Sequence, residues 1–132
     1  MGQAYAIDMR RAAIRHLVAA EALPEGRRDV AGYLFGVAAE CALKHIMFDS
    51  GMRPSGVRRD DPFFAHFEEL KTLLRDTAAG RRASELLRYA NDQGLMQHWD
   101  TDMRYSHGND IESKWIEKWR GHAKYLVERM DG

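Results

Sequence analysis

The sequence contains very little cysteine. Its single cysteine, Cys41, excludes an internal disulfide and leaves no Cys-x-x-Cys pair for a metal knuckle. Neither sign of charge dominates, because 20 Lys and Arg residues balance 20 Asp and Glu residues. The chain therefore has no overall basic field that would draw it to nucleic acid or to an anionic membrane, and any site for a polyanion must be local.

Features of export and of membrane insertion are also missing. Residues 1–6 lack the basic and apolar regions of a signal peptide, and Asp8 follows them closely. The most apolar stretch, residues 30–48, is interrupted by Glu40 and Lys44 and is typical of a buried core helix. We therefore expect a cytoplasmic protein with no membrane partner.

Motifs that bind a cofactor or a metal are likewise missing. No P-loop, dinucleotide-binding glycine motif, zinc-protease helix, nucleophile elbow or EF-hand sequence occurs. One segment is crowded with residue types that ligate divalent metals, namely His98, Asp100, Asp102 and His107. Their spacing matches no known ligand set, so we predict neither a metal nor a cofactor.

The sequence does contain enough apolar material for one hydrophobic core. Of its 132 residues, 45% are hydrophobic and 30% are charged, which is ordinary for a globular protein. A chain of this length encloses one core but not two large ones. We predict a single domain that spans residues 1–132.

Apolar residues recur at helical spacing in the first half of the chain. A first helix has an apolar face made of Ile7, Ile14, Leu17 and Val18. Pro24–Gly26 predicts a turn, after which a new helix can start near Asp29. This second helix continues through residues 30–48, is apolar around most of its circumference, and contains Gly32 and Gly36, which let a neighbouring backbone approach closely. We predict that it is the central helix.

The second half of the chain predicts three more helices. Asp61, followed by a proline, matches a helix N-cap, so a third helix begins there and ends at Gly80. A short fourth helix covers residues 81–90. Asn109 and Glu112 form a capping-box pattern that starts the final helix, which has an apolar stripe to the C-terminus.

These five segments have short connections and no convincing period-two run. They predict an all-α fold, an up-and-down antiparallel bundle of four to five helices. Between the fourth and the final helix, residues 95–109 have no clear period, and functional residues often lie in such irregular segments.

Three stretches of the chain resemble segments of a known helical family. Tyr33–Lys44 is similar to a central helix with the pattern A-x-x-L-x-x-x-A-A-E-x-A-L-K, and Trp99–Tyr105 is similar to a Trp-x4-Arg-Tyr segment before the last helix. His66–Leu70 resembles the opening of the middle helix. Over roughly residues 5–130, the chain resembles the HEPN (higher eukaryotes and prokaryotes nucleotide-binding) family.

The resemblance implies a bundle of four or five helices and a homodimer. It also implies RNA cleavage, nucleotide binding, or association with a small nucleotidyltransferase-type partner in a toxin–antitoxin or defence system. Active members of the family are metal-independent ribonucleases with an Arg-x(4–6)-His motif near the start of the last helix. In such a motif, arginine can hold a phosphate while histidine transfers a proton to or from the ribose or leaving oxygen.

This sequence departs from the family's catalytic motif. Only two residues separate Arg104 from His107, which is shorter than the motif requires. Arg59 and His66 have six residues between them, but they lie before the third helix, where the motif is not expected. Arg104 and His107 are therefore the candidate catalytic pair, beside a helix N-terminus whose amides and dipole favour an anion.

The candidate nucleotide- or RNA-binding residues are Trp99, Arg104, Tyr105, Glu40 and Lys44. Trp99 and Tyr105 could stack a base, and Arg104 could hold a phosphate. Glu40 and Lys44 belong to the stretch that resembles the family's central helix and are spaced for an ion pair. Structural alternatives remain open: the two aromatic rings could close one end of the bundle, and Glu40 with Lys44 could be an ordinary surface pair.

Arg104 and His107 also have a structural alternative. Arg104 could pair with Asp100, Asp102 or Glu40, while His107 caps a turn. We predict a HEPN-like nucleotide- or RNA-binding or interaction protein with an altered catalytic motif. An active ribonuclease that uses Arg104 and His107, and a helical adaptor with no nucleic-acid role, are the alternatives.

Overall fold

Five α-helices make up the fold in the computed structural model, which describes residues 7–56 and 58–132. They are α1 (Met9–Ala22), α2 (Arg28–Asp49), α3 (Phe67–Thr77), α4 (Ala83–Asn91) and α5 (Ser113–Glu128). No β-strand occurs in the described residues. The predicted all-α bundle of four to five helices is confirmed. Residues 1–6, on which the expectation about a signal peptide depends, lie outside the described part.

The central helix is α2, as predicted, and it packs against both α1 and α5. By length and composition, Glu25–Asp49 is the one helical stretch of the described chain that could cross a membrane, but 61% of its most apolar window is buried in the bundle. Such a helix is typical of a protein core as well as of a membrane. Here its apolar surface is covered by neighbouring helices.

Two glycines of α2 allow tryptophan rings to lie against the helix. A Cβ atom on Gly36 would lie 1.9 Å from the Trp99 ring, and one on Gly32 would lie 3.1 Å from the Trp119 ring. The prediction that a neighbouring backbone approaches these glycines was therefore wrong, because side chains, chiefly the two indole rings, occupy the space at both. These contacts explain why glycine occurs inside this helix, although a glycine in a helix interior costs about 1 kcal/mol relative to alanine.

The buried face of α1 differs from the prediction. Ala13 and Ala20 are fully buried, whereas Ile7 is 64%, Ile14 36% and Val18 61% exposed. Because alanine is small, it lets the α1 backbone lie close to α2. Of the four residues of the predicted face, Leu17 is partly buried against the core and the other three remain exposed. We call the exposed Ile14 and Val18, together with Ile7 just before the helix, the α1 stripe.

Two predicted helix starts are shifted along the chain. Asp61 does accept a hydrogen bond from the Phe63 amide at 2.9 Å, but it caps a 3₁₀ turn, and α3 begins only at Phe67. The predicted start at Asn109 was wrong, because α5 begins at Ser113 and a 3₁₀ turn occupies Gly108–Asp110. Asp61 therefore caps a short turn rather than a long helix, whereas Asn109 caps nothing and lies inside a turn whose N-cap is His107.

A buried arginine joins the ends of three helices. Arg82, just before α4, is 6% exposed. Its guanidinium donates two hydrogen bonds of 2.8 Å to Glu85, one of 3.0 Å to Asp49 at the end of α2, and two to the carbonyls of Arg129 and Met130 after α5. Every nitrogen of this guanidinium is thereby bonded. We call this arrangement the Arg82 network.

Candidate functional site

Arg104 lies in the irregular segment between α4 and α5, on the 3₁₀ turn Thr101–Tyr105. Its Nε donates a hydrogen bond of 2.9 Å to the Thr101 carbonyl. Among the described residues, no carboxylate lies within 4.0 Å of its guanidinium. The predicted alternative in which Arg104 pairs with a nearby acid is therefore wrong, and both Nη atoms are available to another group.

Two tyrosine rings flank this guanidinium. The central carbon of Arg104 lies 5.1 Å from the centre of the Tyr105 ring and 5.8 Å from that of Tyr33 on α2. Both distances are within the range of cation–π attraction. Tyr105 is 79% exposed, so one face of this group is open to solvent. We call Tyr33, Arg104 and Tyr105 the Arg104 surface.

Sequence reasoning did not select Tyr33 for this surface. No local pattern could have found it, because its contact with Arg104 joins residues that are 71 positions apart in the sequence.

Trp99 is placed in the core. It is 4% exposed, its Nε1 donates a hydrogen bond of 3.2 Å to the Gly32 carbonyl, and its ring stacks on Tyr33 with centroids 5.7 Å apart. The other contact of the ring is with Gly36. The buried Trp99 ring therefore holds Tyr33 in place by stacking on it. Because Trp99 is buried, a base cannot stack on its ring.

His107 caps a turn, as the structural alternative predicts. Its Nδ1 accepts a long hydrogen bond of 3.5 Å from the Asn109 amide at the start of the turn Gly108–Asp110. The side chain is exposed. In the described residues, no hydrogen bond joins it to Arg104, and the N-terminus of α5 lies farther along the chain than expected. The structure thus brings Arg104 and His107 into one segment without joining them.

Glu40 and Lys44 form the predicted i, i+4 ion pair, but it lies mostly inside the protein. The Lys44 Nζ donates to a Glu40 carboxylate oxygen at 3.0 Å, and the Lys44 side chain is only 6% exposed. The other Glu40 oxygen lies 3.4 Å from Nδ1 of His66. Glu40 is seven residues beyond Tyr33, which corresponds to about 10 Å along the helix. The pair therefore lies apart from the Arg104 surface.

Two groups near this ion pair have raised pKa values. Burial raises the pKa of Glu68 most, and the carboxylates of Asp100 and Glu40 act in the same direction, while a backbone hydrogen bond and His66 oppose them. Burial also raises the pKa of Cys41 to about 11, which keeps its thiol protonated and unreactive at neutral pH. The Cys41 thiol is therefore not a candidate nucleophile.

Comparisons were made with models of protein families, with curated proteins and with solved structures. None gives a match. The HEPN resemblance therefore rests on the residues quoted above and stays a prediction. Within the described residues, no group of three or more His, Cys, Asp or Glu side chains is placed to hold a metal ion.

Proposed function

We propose that the protein binds single-stranded RNA or a nucleotide through the Arg104 surface. The observation that carries this proposal is the guanidinium of Arg104, which has no carboxylate partner among the described residues and lies 5.1 Å and 5.8 Å from the centres of two tyrosine rings. A free guanidinium can hold a phosphate bidentately, and an exposed ring can stack a base. Both groups lie on one short turn, within the reach of a single nucleotide.

The protein's charge is consistent with a local site of this kind. With 20 cationic and 20 anionic side chains, no general field would hold RNA, so each contact near Arg104 must contribute measurably. Stacking of a base on an aromatic ring contributes about 1–3 kcal/mol. Tyr105 has the most exposed ring of the two and is the main candidate for this contact.

The test measures the anisotropy of a labelled, mixed-sequence single-stranded RNA over a range of salt concentrations. Replacing Tyr105 with alanine should weaken binding about tenfold through the lost stacking. Arg104→Gln should weaken it as well and should lower the slope of log affinity against log salt by about 0.7, the value for one phosphate contact on a single strand.

Arg27 is the matched control for Arg104. It is exposed, lies on the 3₁₀ turn Glu25–Arg27, and its side chain donates a hydrogen bond to the Gly26 carbonyl at 3.1 Å. Arg27→Gln should leave both the affinity and the salt slope unchanged. Equal effects of the Arg27 and Arg104 changes, or no binding at low salt, would contradict the proposal and leave a helical adaptor as the working function.

RNA cleavage is a second candidate function, because His107 is exposed and only its Nδ1 has a partner in the described residues. Its Nε2 is therefore free to transfer a proton. Incubation of the RNA with the protein in EDTA tests this function. Cleavage by the wild type that is lost in the double variant Arg104→Ala/His107→Ala would support it, whereas intact RNA at every pH would exclude it.

The homodimer and the nucleotidyltransferase-type partner also stay predictions. The exposed α1 stripe favours a contact with a second chain, since large apolar side chains at the centre of an interface contribute most of the binding free energy.

A further inference from the structure

A second candidate site lies on the outer side of α5. A pocket of about 160 Å³ opens between the turn at residues 94–98 and this helix. Six of its lining residues are cationic, titratable or aromatic, namely His98, Lys114, Trp115, Lys118, Trp119 and His122, and no acidic residue lines it. It shares no residue with the Arg104 surface, so it is argued independently of the proposed function.

His122 presents a fixed hydrogen-bond donor to this pocket. Its Nδ1 accepts a hydrogen bond of 3.1 Å from the Met96 amide, so the neutral ring carries its proton on Nε2. Burial lowers the pKa of His122, and Lys71 and Lys118 act in the same direction while Asp92 opposes them. At neutral pH the ring is therefore uncharged, and Nε2 is a donor with no partner among the described residues.

Two ammonium groups stand one helical turn apart on the same side of α5. Lys118 has no ion-pair partner in the described part of the chain, and Lys114 has only an exposed contact of 3.3 Å with Glu112. Together with His122, they recur every four residues and so follow one face of the helix. Two cations and one neutral donor converge on a pocket that lacks a negative charge.

The turn that closes the pocket is strained and tightly held. Met96 and His98 have φ angles of +55° and +73°, which side chains other than glycine rarely adopt. The Trp119 Nε1 donates to the Gln97 carbonyl at 2.9 Å, and the His98 ring stacks on Trp115 with centroids 4.5 Å apart. Strain of this kind persists only where the surroundings impose it, and it often accompanies a binding site.

From this arrangement we infer that the pocket binds a phosphate group, held by the Nε2–H of His122 and the ammonium groups of Lys114 and Lys118. Pockets that enclose a drug-sized molecule measure about 300–1,000 Å³, so this smaller pocket encloses the anion alone and not a whole nucleotide. The stacked His98 and Trp115 rings form its outer wall. A base attached to the phosphate would meet that wall.

The test titrates the full chain with inorganic phosphate at constant ionic strength, with chloride as the reference anion. Side-chain ¹⁵N resonances of His122 and the indole resonance of Trp115 report on the pocket by NMR. Phosphate should shift both resonances in a saturable way, and chloride should not. Adenosine monophosphate and adenosine form two further arms: tighter binding of the monophosphate, with no response to the nucleoside, would show that the phosphate belongs to a nucleotide.

Lys118→Gln is the informative variant, and Lys124→Gln is its control, because Lys124 is exposed on the same helix and does not line the pocket. Loss of one charged hydrogen bond should weaken phosphate binding about tenfold in the first and leave it unchanged in the second. Arg104→Gln should leave it unchanged as well, which separates this site from RNA binding. Equal losses in the two lysine variants, or no saturable shift with any phosphate, would overturn the inference.

Discussion

Replacing Arg82 with methionine removes the one charge that joins the ends of α2, α4 and α5, while keeping most of the volume of the side chain. The carboxylates of Asp49 and Glu85 would lose their hydrogen bonds, and the carbonyls of Arg129 and Met130 would lose a donor in a nearly closed site. The change therefore leaves partly buried negative charge and buried polar atoms without partners.

The size of the effect follows from the exposure of the partners. Breaking a buried ion pair on one side costs about 3–5 kcal/mol. Both carboxylate partners are partly exposed: the Asp49 side chain is 36% exposed and keeps its contact with Arg81, and the Glu85 side chain is 20% exposed. We therefore expect a loss at the lower end of this range. A loss of about 3 kcal/mol is a large fraction of the roughly 5–15 kcal/mol that stabilises a domain, and it corresponds to a fall in Tm of roughly 10 °C.

Urea unfolding followed by circular dichroism measures this loss, and Arg81→Met is the control. Arg81 binds the same Asp49 oxygen, but its side chain is 65% exposed, so its removal should change the free energy of unfolding by about 1 kcal/mol or less. The free energy of unfolding of the Arg82 variant should also depend less on pH in the acidic range. Hydrogen bonds from Arg82 lower the pKa of Glu85 and of Asp49, so the stability that they contribute is present at neutral pH and is lost as the pH falls through the folded pKa. Equal losses for the two arginines would refute the reasoning.

Three further predictions concern packing, pH and assembly. Gly36→Ala should destabilise the protein by about 1–3 kcal/mol or more, because the new methyl group would overlap the Trp99 ring, whereas Gly26→Ala, with nothing within 4 Å of its Cβ, should have an effect of about 0.5 kcal/mol or less in the same urea assay. Because burial lowers the pKa of His122 below 6.5, the unfolded chain binds more protons, so the free energy of unfolding should rise as the pH approaches 6.5 from below. The rise should be smaller in His122→Asn. An unchanged slope of unfolding free energy against pH would contradict the claim that His122 causes the rise. If the predicted homodimer forms through the α1 stripe, Val18→Glu should yield monomers in light scattering, and an intact dimer would place the interface elsewhere.

Local patterns in the sequence predicted most of the fold. The turn at Pro24–Gly26 and the apolar length of residues 30–48 identified the first connection and the central helix, because both signals are independent of distant contacts. The capping pattern at Asn109 failed because Asn109 lies inside a 3₁₀ turn that His107 caps, and α5 begins only after that turn. The face of α1 failed for another reason, since the close approach of two helices favoured alanine over the larger residues.

Less of the candidate site than of the fold could be predicted from the sequence. Arg104 and Tyr105 were selected from the resemblance to the Trp-x4-Arg-Tyr segment and from their positions in an irregular segment, but whether Arg104 has a carboxylate partner depends on how the turn folds. The role of Arg82 in joining three helices was not readable, because only its partner Glu85 is near in sequence, while the others lie 33 residues before it and 47 and 48 residues after it. By contrast, Lys114, Lys118 and His122 follow one helical face, and this pattern was present in the sequence.

The Arg82 network also bears on synthesis. The arginine emerges from a ribosome well before the last turn of α5, whose carbonyls complete its set of acceptors. Until residues 129 and 130 have been made, a closed bundle would leave two hydrogen bonds of a mostly buried guanidinium unmade, which is unfavourable. The end of α5 is therefore the part of the fold that completes the set of acceptors around Arg82 during synthesis.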